Sequence, residues 1–263
     1  MGMAGWNTQQ MLDGIEGVMY LAGATGEDLA STSDIVTDAI TAFGLSAQDT
    51  NMFVDVLAKT ANSANTDVAK LGESFKYVAP IAGAMHYNVQ DVSTALGIMA
   101  NSGIKASTAG TSLRSWISRM AAPTKQVKTA LDELGLSLVD ANGDTKDFET
   151  LMRDTRGAFS ELTDAEKAQY ASMLAGKSGM SGLLAIVNAS ESDFDSLSQA
   201  IYASDGACKQ MYDTANDILS GQMTILKSTL ESIAISLGER MTPYVKKATE
   251  WLQNCLLYTS DAA

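Results

Sequence analysis

Along most of this chain apolar side chains recur at three- and four-residue spacing, and short clusters of Gly, Asn, Ser and Thr interrupt them. That period matches the 3.6-residue turn of a helix and not the two-residue alternation of a strand, so it commits the chain to a mainly α fold. About eleven helices are expected. The first runs from about Asn7 to Ala24, with Met11, Ile15, Val18 and Met19 on one side, and the second from Ser33 to Phe43. Gly26 and Gly44 mark their ends. Ser46 with Asp49 three residues later makes a capping arrangement before a third helix carrying Phe53, Val56, Leu57 and Ala61.

A fourth helix is expected over Val68–Val78, ended by Pro80, since proline lacks the backbone donor and crowds the residue before it. Asn88 caps a fifth. Two short helices flank Pro123, one with Leu113, Trp116, Ile117 and Met120, the other with Val127, Ala130, Leu131 and Leu134. The period then changes, and Asn142-Gly143 suits a tight turn, so a small β-hairpin is expected between Leu136 and Asp147. Thr163 and Glu166 form a capping box opening a helix to about Leu174, with further helices over Ser181–Val187 and Ser192–Ala203.

The last helix is long. Leu219, Met223, Leu226, Leu230, Ile233 and Leu237 follow one another at steps of four and three, an apolar seam of heptad type and the candidate helix–helix contact. An amphipathic helix packing on its own domain explains the same spacing. Pro243 is expected to bend or end it. The division that results is a helical core domain over 1–204 with the hairpin near 136–147, a long amphipathic helix over 205–254, and a terminal 255–263 that departs from the helical pattern and reads as a non-native tail.

Composition narrows the function. Aromatic residues make up only 6% of the chain and three residues are proline, and Ala, Ser, Thr, Gly, Leu and Met dominate, a palette for close contacts between helices. A net charge of −13 opposes phosphate-backbone binding, so no sequence-specific nucleic-acid partner is expected. Cys208 and Cys255 stand far apart without a CxxC spacing, which fits synthesis in a reducing cytoplasm. The first residues lack the basic and apolar blocks of a signal peptide, and the longest uncharged stretches are too short to span a bilayer.

No catalytic, cofactor-binding or metal-binding residues can be assigned. His86, the one histidine, has no second histidine or nearby cysteine with which to build a triad or metal site. Gly176-Lys177-Ser178 has the ending of a phosphate-binding loop, but the glycine needed five residues before Gly176 is Ala171. Asp140 to Asp144 starts like a calcium loop, yet Thr145 and Leu151 occupy the positions that need Gly and Glu. Carboxylate neighbours such as Asp132 with Glu133 are ordinary on solvated surfaces.

Four segments together are more specific than any composition. They are Gly5-Trp6-Asn7-Thr8-Gln9-Gln10-Met11 continuing through Leu21 to Ala30; Asp34-Ile35-Val36-Thr37-Asp38-Ala39 with Phe43-Gly44-Leu45; Leu71-Gly72-Glu73-Ser74-Phe75-Lys76-Tyr77-Val78-Ala79-Pro80; and Met99-Ala100-Asn101-Ser102-Gly103-Ile104-Lys105 with Ala109-Gly110-Thr111-Ser112-Leu113-Arg114. Read in this order, and with Leu131 to Leu136 and Leu226 to Gly238 downstream, the chain resembles the core region of bacteriophage tail tape-measure proteins from Gly5 to about Asn254.

The resemblance implies a non-enzymatic structural protein whose length sets that of the tail. It implies a place in the lumen of the virion tail, and in the host cytoplasm during assembly, with release at DNA ejection. The partners implied are tail-tube subunits, tail assembly chaperones and further copies of the chain; no cofactor and no membrane contact of this segment are implied. The chain opens partway into the family's pattern and lacks the long helical repeats that follow it there, so a fragment is expected. Two other readings stay open: a helical adaptor outside any phage, and a tape-measure segment with peptidoglycan hydrolase activity.

Overall fold

The computed structural model describes residues 1–2 and 5–260, the side chains at 219–221, 239, 248 and 250–260 excepted. Among the described residues 80% helix and no strand confirm the mainly α class. The helices are α1 (Thr8–Thr25), α2 (Leu29–Phe43), α3 (Thr50–Ser63), α4 (Val68–Ala84), α5 (Val89–Asn101), α6 (Ala106–Ala121), α7 (Lys125–Leu134), α8 (Phe148–Phe159), α9 (Asp164–Asn188), α10 (Glu191–Tyr202), α11 (Ala207–Asp217) and α12 (Leu219–Ser260). The chain divides into two compact units, Met1–Asp213 and Thr214–Ala263.

Local chemistry starts most of the helices of the first unit. Asn7, Asp28, Asp67, Asn88, Thr124, Asp147, Thr163 and Ser190 each accept a hydrogen bond from a backbone N–H of the first turn, satisfying one of the donors a helix start leaves unpaired. The Thr163–Glu166 box forms as expected, and Ser46 with Asp49 encloses a 3-10 turn, Ala47–Asp49, that leads into α3.

The first unit is built around α5, in which Val89, Asp91–Ala100 are all buried. A helix covered on every side is a core element. It touches α3, α10, α6 and α9, while α4 packs on α2 and α6, and α6 on α9. These contacts are close because their small residues leave room. A Cβ on Gly110 of α6 would fall 2.2 Å from the Ser74 carbonyl oxygen of α4, and one on Gly83 of α4 would fall 2.4 Å from that of Ala42 in α2.

Several expectations need correction. No hairpin forms over Leu136–Asp147: a single antiparallel bridge joins Val139 and Thr145, and no ladder extends it. The Asp140 carboxylate accepts the N–H groups of Asn142 and Asp144 beside the backbone bond from the Asp140 N–H to the Asp144 oxygen, and only Leu136 of the flanking residues is buried to anchor a strand face. Pro80 does not end α4, which continues to Ala84. Pro80 lies on the exposed side, where water can meet the carbonyl it leaves unpaired, while Val78, Ala79 and Ala82 hold the other side in the core.

On α1 the buried face is Gly14, Gly17, Val18 and Leu21, and Met19 is exposed, because the glycines let α1 lie against Trp6, Asn51 and Val54. Finally, α8 was not foreseen, and the helices expected over 164–174 and 181–187 join across a kink at Gly176. Gly176 has φ +71°, a left-handed conformation that releases carbonyls of α9. Two α6 side chains meet them, Arg119 donating to the Met173 oxygen at 3.1 Å and Ser115 to that of Ala175 at 2.7 Å, and Ser112 donates to the Ser178 oxygen just past the kink at 2.9 Å.

The second unit contains α12, which runs through Pro243 and on to Ser260 instead of ending at either Pro243 or Asn254. Residues 261–263 of the expected tail lie outside the described residues.

Candidate functional site

The apolar seam lies on α12. Met223, Leu226, Leu230, Ile233 and Leu237 are between 51% and 58% exposed, and the Leu219 side chain lies outside the described residues. Met223, Leu230 and Leu237 share one heptad position and Leu226 and Ile233 the other, so one helix surface carries them all. The side-chain hydroxyl of Thr229 donates to the Ile225 carbonyl four residues back, and Thr242 does the same to Gly238, so these polar groups are satisfied within the helix. Lys227 and Glu231 form an ion pair at 3.9 Å. Covering five such half-exposed side chains would contribute on the order of 5 kcal/mol before the costs of association.

The segment Asn101 to Arg114 joins α5 to α6 and packs on α4. Gly103, at φ +84°, turns the chain between α5 and α6, and Asn101 accepts the Asn65 N–H at 2.8 Å, tying the α3–α4 turn to the end of α5. Ser74 of α4 donates to the Ala106 carbonyl at 2.8 Å, beside the Gly110 contact.

Several buried polar groups elsewhere hold helices together. Asp91 of α5 is buried and accepts from the Tyr202 hydroxyl at 2.6 Å and the Glu149 N–H at 3.1 Å, joining α5, α8 and α10. Burial pushes its carboxyl above the usual carboxylate range, and those two hydrogen bonds oppose the shift. Arg156 donates to the Ile186 carbonyl at 2.6 Å and to Glu191 at 3.1 Å, and lies over the Phe194 ring. Arg153 pairs with Glu149, Glu191 and Asp195.

An open polar cleft of about 610 Å³ between α8 and α10 is lined by Asp147, Glu149, Arg153, Ser198 and Tyr202, and its one cation is already paired. His86 is exposed in the α4–α5 turn at φ +56°. Gly176-Lys177-Ser178 lies at the α9 kink, and the Asp140 carboxylate is held below its usual range by the N–H groups of its own turn. Among the described residues no group of three or more His, Cys, Asp or Glu could hold a metal ion, and no helix is long and apolar enough to cross a membrane.

Sequence reasoning passed over the buried carboxylates. Asp55 accepts the N–H groups of Gly206 and Cys208, at 2.9 and 2.8 Å. Its place inside the run Phe53-Val54-Asp55-Val56-Leu57 was the available signal, since a carboxylate on a core face needs donors.

A family model described as "Phage-related minor tail protein" matches residues 1–176. The chain is 34% identical over 244 residues to the tape measure protein of Pneumococcus phage Dp-1, covering 93% of this chain and 21% of the relative. It is 28% identical over 249 residues to the probable tape measure protein of Escherichia phage P2, covering 89% of this chain and 31% of the relative. The chain therefore spans between a fifth and a third of the length of these curated relatives. No solved structure matches it. With two thirds of its residues under the family model and similarity to both relatives along nearly all of its length, the chain belongs to the phage-related minor tail protein family.

Proposed function

We propose that this chain is a segment of a tail tape-measure protein, a non-catalytic component that sets tail length and organises assembly of the tail tube. The observation that carries the reading is similarity to a tape measure protein across 93% of the chain. In this role the protein lies in the tail lumen of the virion, is assembled in the host cytoplasm among tail-tube subunits and assembly chaperones, and leaves at DNA ejection. The consumption of the buried acids and bases by structural hydrogen bonds supports a role without catalysis.

The α12 seam is the contact through which copies associate. Its flanking heptad positions hold Thr229, Ala234 and Ser236, with Lys227 the one charge between Met223 and Leu237 at those positions, so copies can approach with little repulsion.

Tail length tests the ruler. A second copy of the 42-residue α12 inserted in frame into the complete protein adds about 60 Å if it is extended as a helix at about 1.5 Å per residue. Electron microscopy of the resulting tails should show that increase, and tails of unchanged length refute the ruler function.

A further inference from the structure

α11 begins within the first unit and buries less against it than the other helices do, chiefly Cys208 with Met211 and Tyr212 half-buried beside it. Cys208 is its buried residue, and its thiol lies 3.9 Å from the Gly17 carbonyl of α1. The two backbone bonds to Asp55 secure its first turn, which follows Gly206 at φ +73°. One turn further on, the Tyr212 ring lies against Gly23 of α1, where a Cβ would fall 2.5 Å from it, and 5.1 Å from the Tyr20 ring centroid. α10, by comparison, buries Phe194, Leu197, Ser198 and Ile201 against α3 and α5. α11 is the covalent path from α10 to α12.

We propose that α11 is a latch, fastened by Asp55 at its first turn and by Tyr212 one turn later, which detaches as a unit while α1–α10 stay folded. Local opening is governed by the contacts a segment itself makes, and one buried side chain, the half-buried Met211 and Tyr212 and one carboxylate cap are less than the core helices make. Asp55 is suited to this task. When the latch is closed its carboxylate is satisfied by the two N–H groups, and when open it is reached by water, so the open state leaves no charge stranded. Gly23 of α1 leaves the space that the Tyr212 ring occupies, and the Tyr20 ring beside it completes the seat from which α11 lifts.

Cys208 reports the latch directly, because its thiol reacts only when α11 lifts. In the 263-residue chain, iodoacetamide labelling of Cys208, resolved from Cys255 by peptide mass, is compared with hydrogen exchange of the α5 amides. The latch requires Cys208 to be at least tenfold less protected than α5. Tyr212→Ala should raise Cys208 labelling about threefold to tenfold and leave α5 protection unchanged. Asp55→Asn should raise it about tenfold or more. Equal protection of Cys208 and α5 in the native chain, or a fall in both together in Tyr212→Ala, would overturn the proposal and make α11 an integral part of the core. If Asp55→Asn also unfolds α5, Asp55 holds the core and not a latch, which likewise overturns it.

Discussion

Gly110 and Gly157 are both helical glycines, yet their surroundings make opposite demands. A Cβ at Gly110 would meet the Ser74 carbonyl carbon and oxygen at 2.9 and 2.2 Å, backbone atoms that cannot swing aside. Gly110→Ala should therefore separate α4 from α6 and destabilise by about 1–3 kcal/mol, as overpacking does. Nothing lies within 4 Å of a Cβ on Gly157 in α8, which is exposed. Gly157→Ala should stabilise by about 0.5–1 kcal/mol through the lower entropy cost of ordering alanine. Thermal melts of the two variants should shift in opposite directions.

At Glu166 the relevant quantity is charge. Its carboxyl is held below the ordinary 4.5 by hydrogen bonds from the Thr163 hydroxyl and N–H. A depressed folded-state pKa contributes stability above the unfolded value and loses it as pH falls through the folded value. Glu166→Gln keeps an acceptor but cannot titrate. The melting temperature of the native chain should exceed that of the variant at pH 7, and the gap should close as the pH is lowered through 4.5 and below. A gap independent of pH would show that the capping box does not depend on the charge.

At the scale of elements, the α9 kink depends on a partner helix as much as on Gly176. Ser112, Ser115 and Arg119 lie three and four residues apart on α6 and so share the face that meets the Met173 and Ala175 carbonyls before the kink and the Ser178 carbonyl after it. Ser115→Ala leaves the Ala175 carbonyl short of its donor and should cost about 1–2 kcal/mol, with faster hydrogen exchange near the kink than in α5. Uniform exchange changes would mean that the kink opens only with the whole unit.

Element boundaries show what local sequence encodes. Asn7, Asn88 and Thr163 start helices where their side chains indicate, because an N-cap acts within three residues of its own position. The helix α8 was legible too, since Asp147 caps it and Phe148, Leu151, Met152, Thr155 and Phe159 form its buried face at helical spacing. Pro80 was not legible. Whether a proline breaks a helix depends on which face it occupies, and that is fixed by α2 and α6 packing on the opposite side.

At the scale of the molecule, the two units call for different tests. Leu230 sits midway in the α12 seam and is exposed, so a charge there should cost no core packing in the first unit. Leu230→Asp should lower the oligomer size seen by light scattering, since an unpaired carboxylate in a helix seam is costly to bury, and leave the melting of the first unit unchanged. Unchanged oligomer size would remove the seam as the contact.

The sequence by itself determined the helical class, most helix starts and the family, because caps, periodicity and ordered motifs are properties of residues near one another in the chain. Only the tertiary structure decided which face of α1 is buried, that α4 passes through Pro80, that Ser112, Ser115 and Arg119 meet the α9 kink, and that Asp55 caps a helix about 150 residues away. Each of these depends on an atom supplied by a distant segment, a carbonyl, a donor or an empty space, and no local spacing records where the folded chain will bring it.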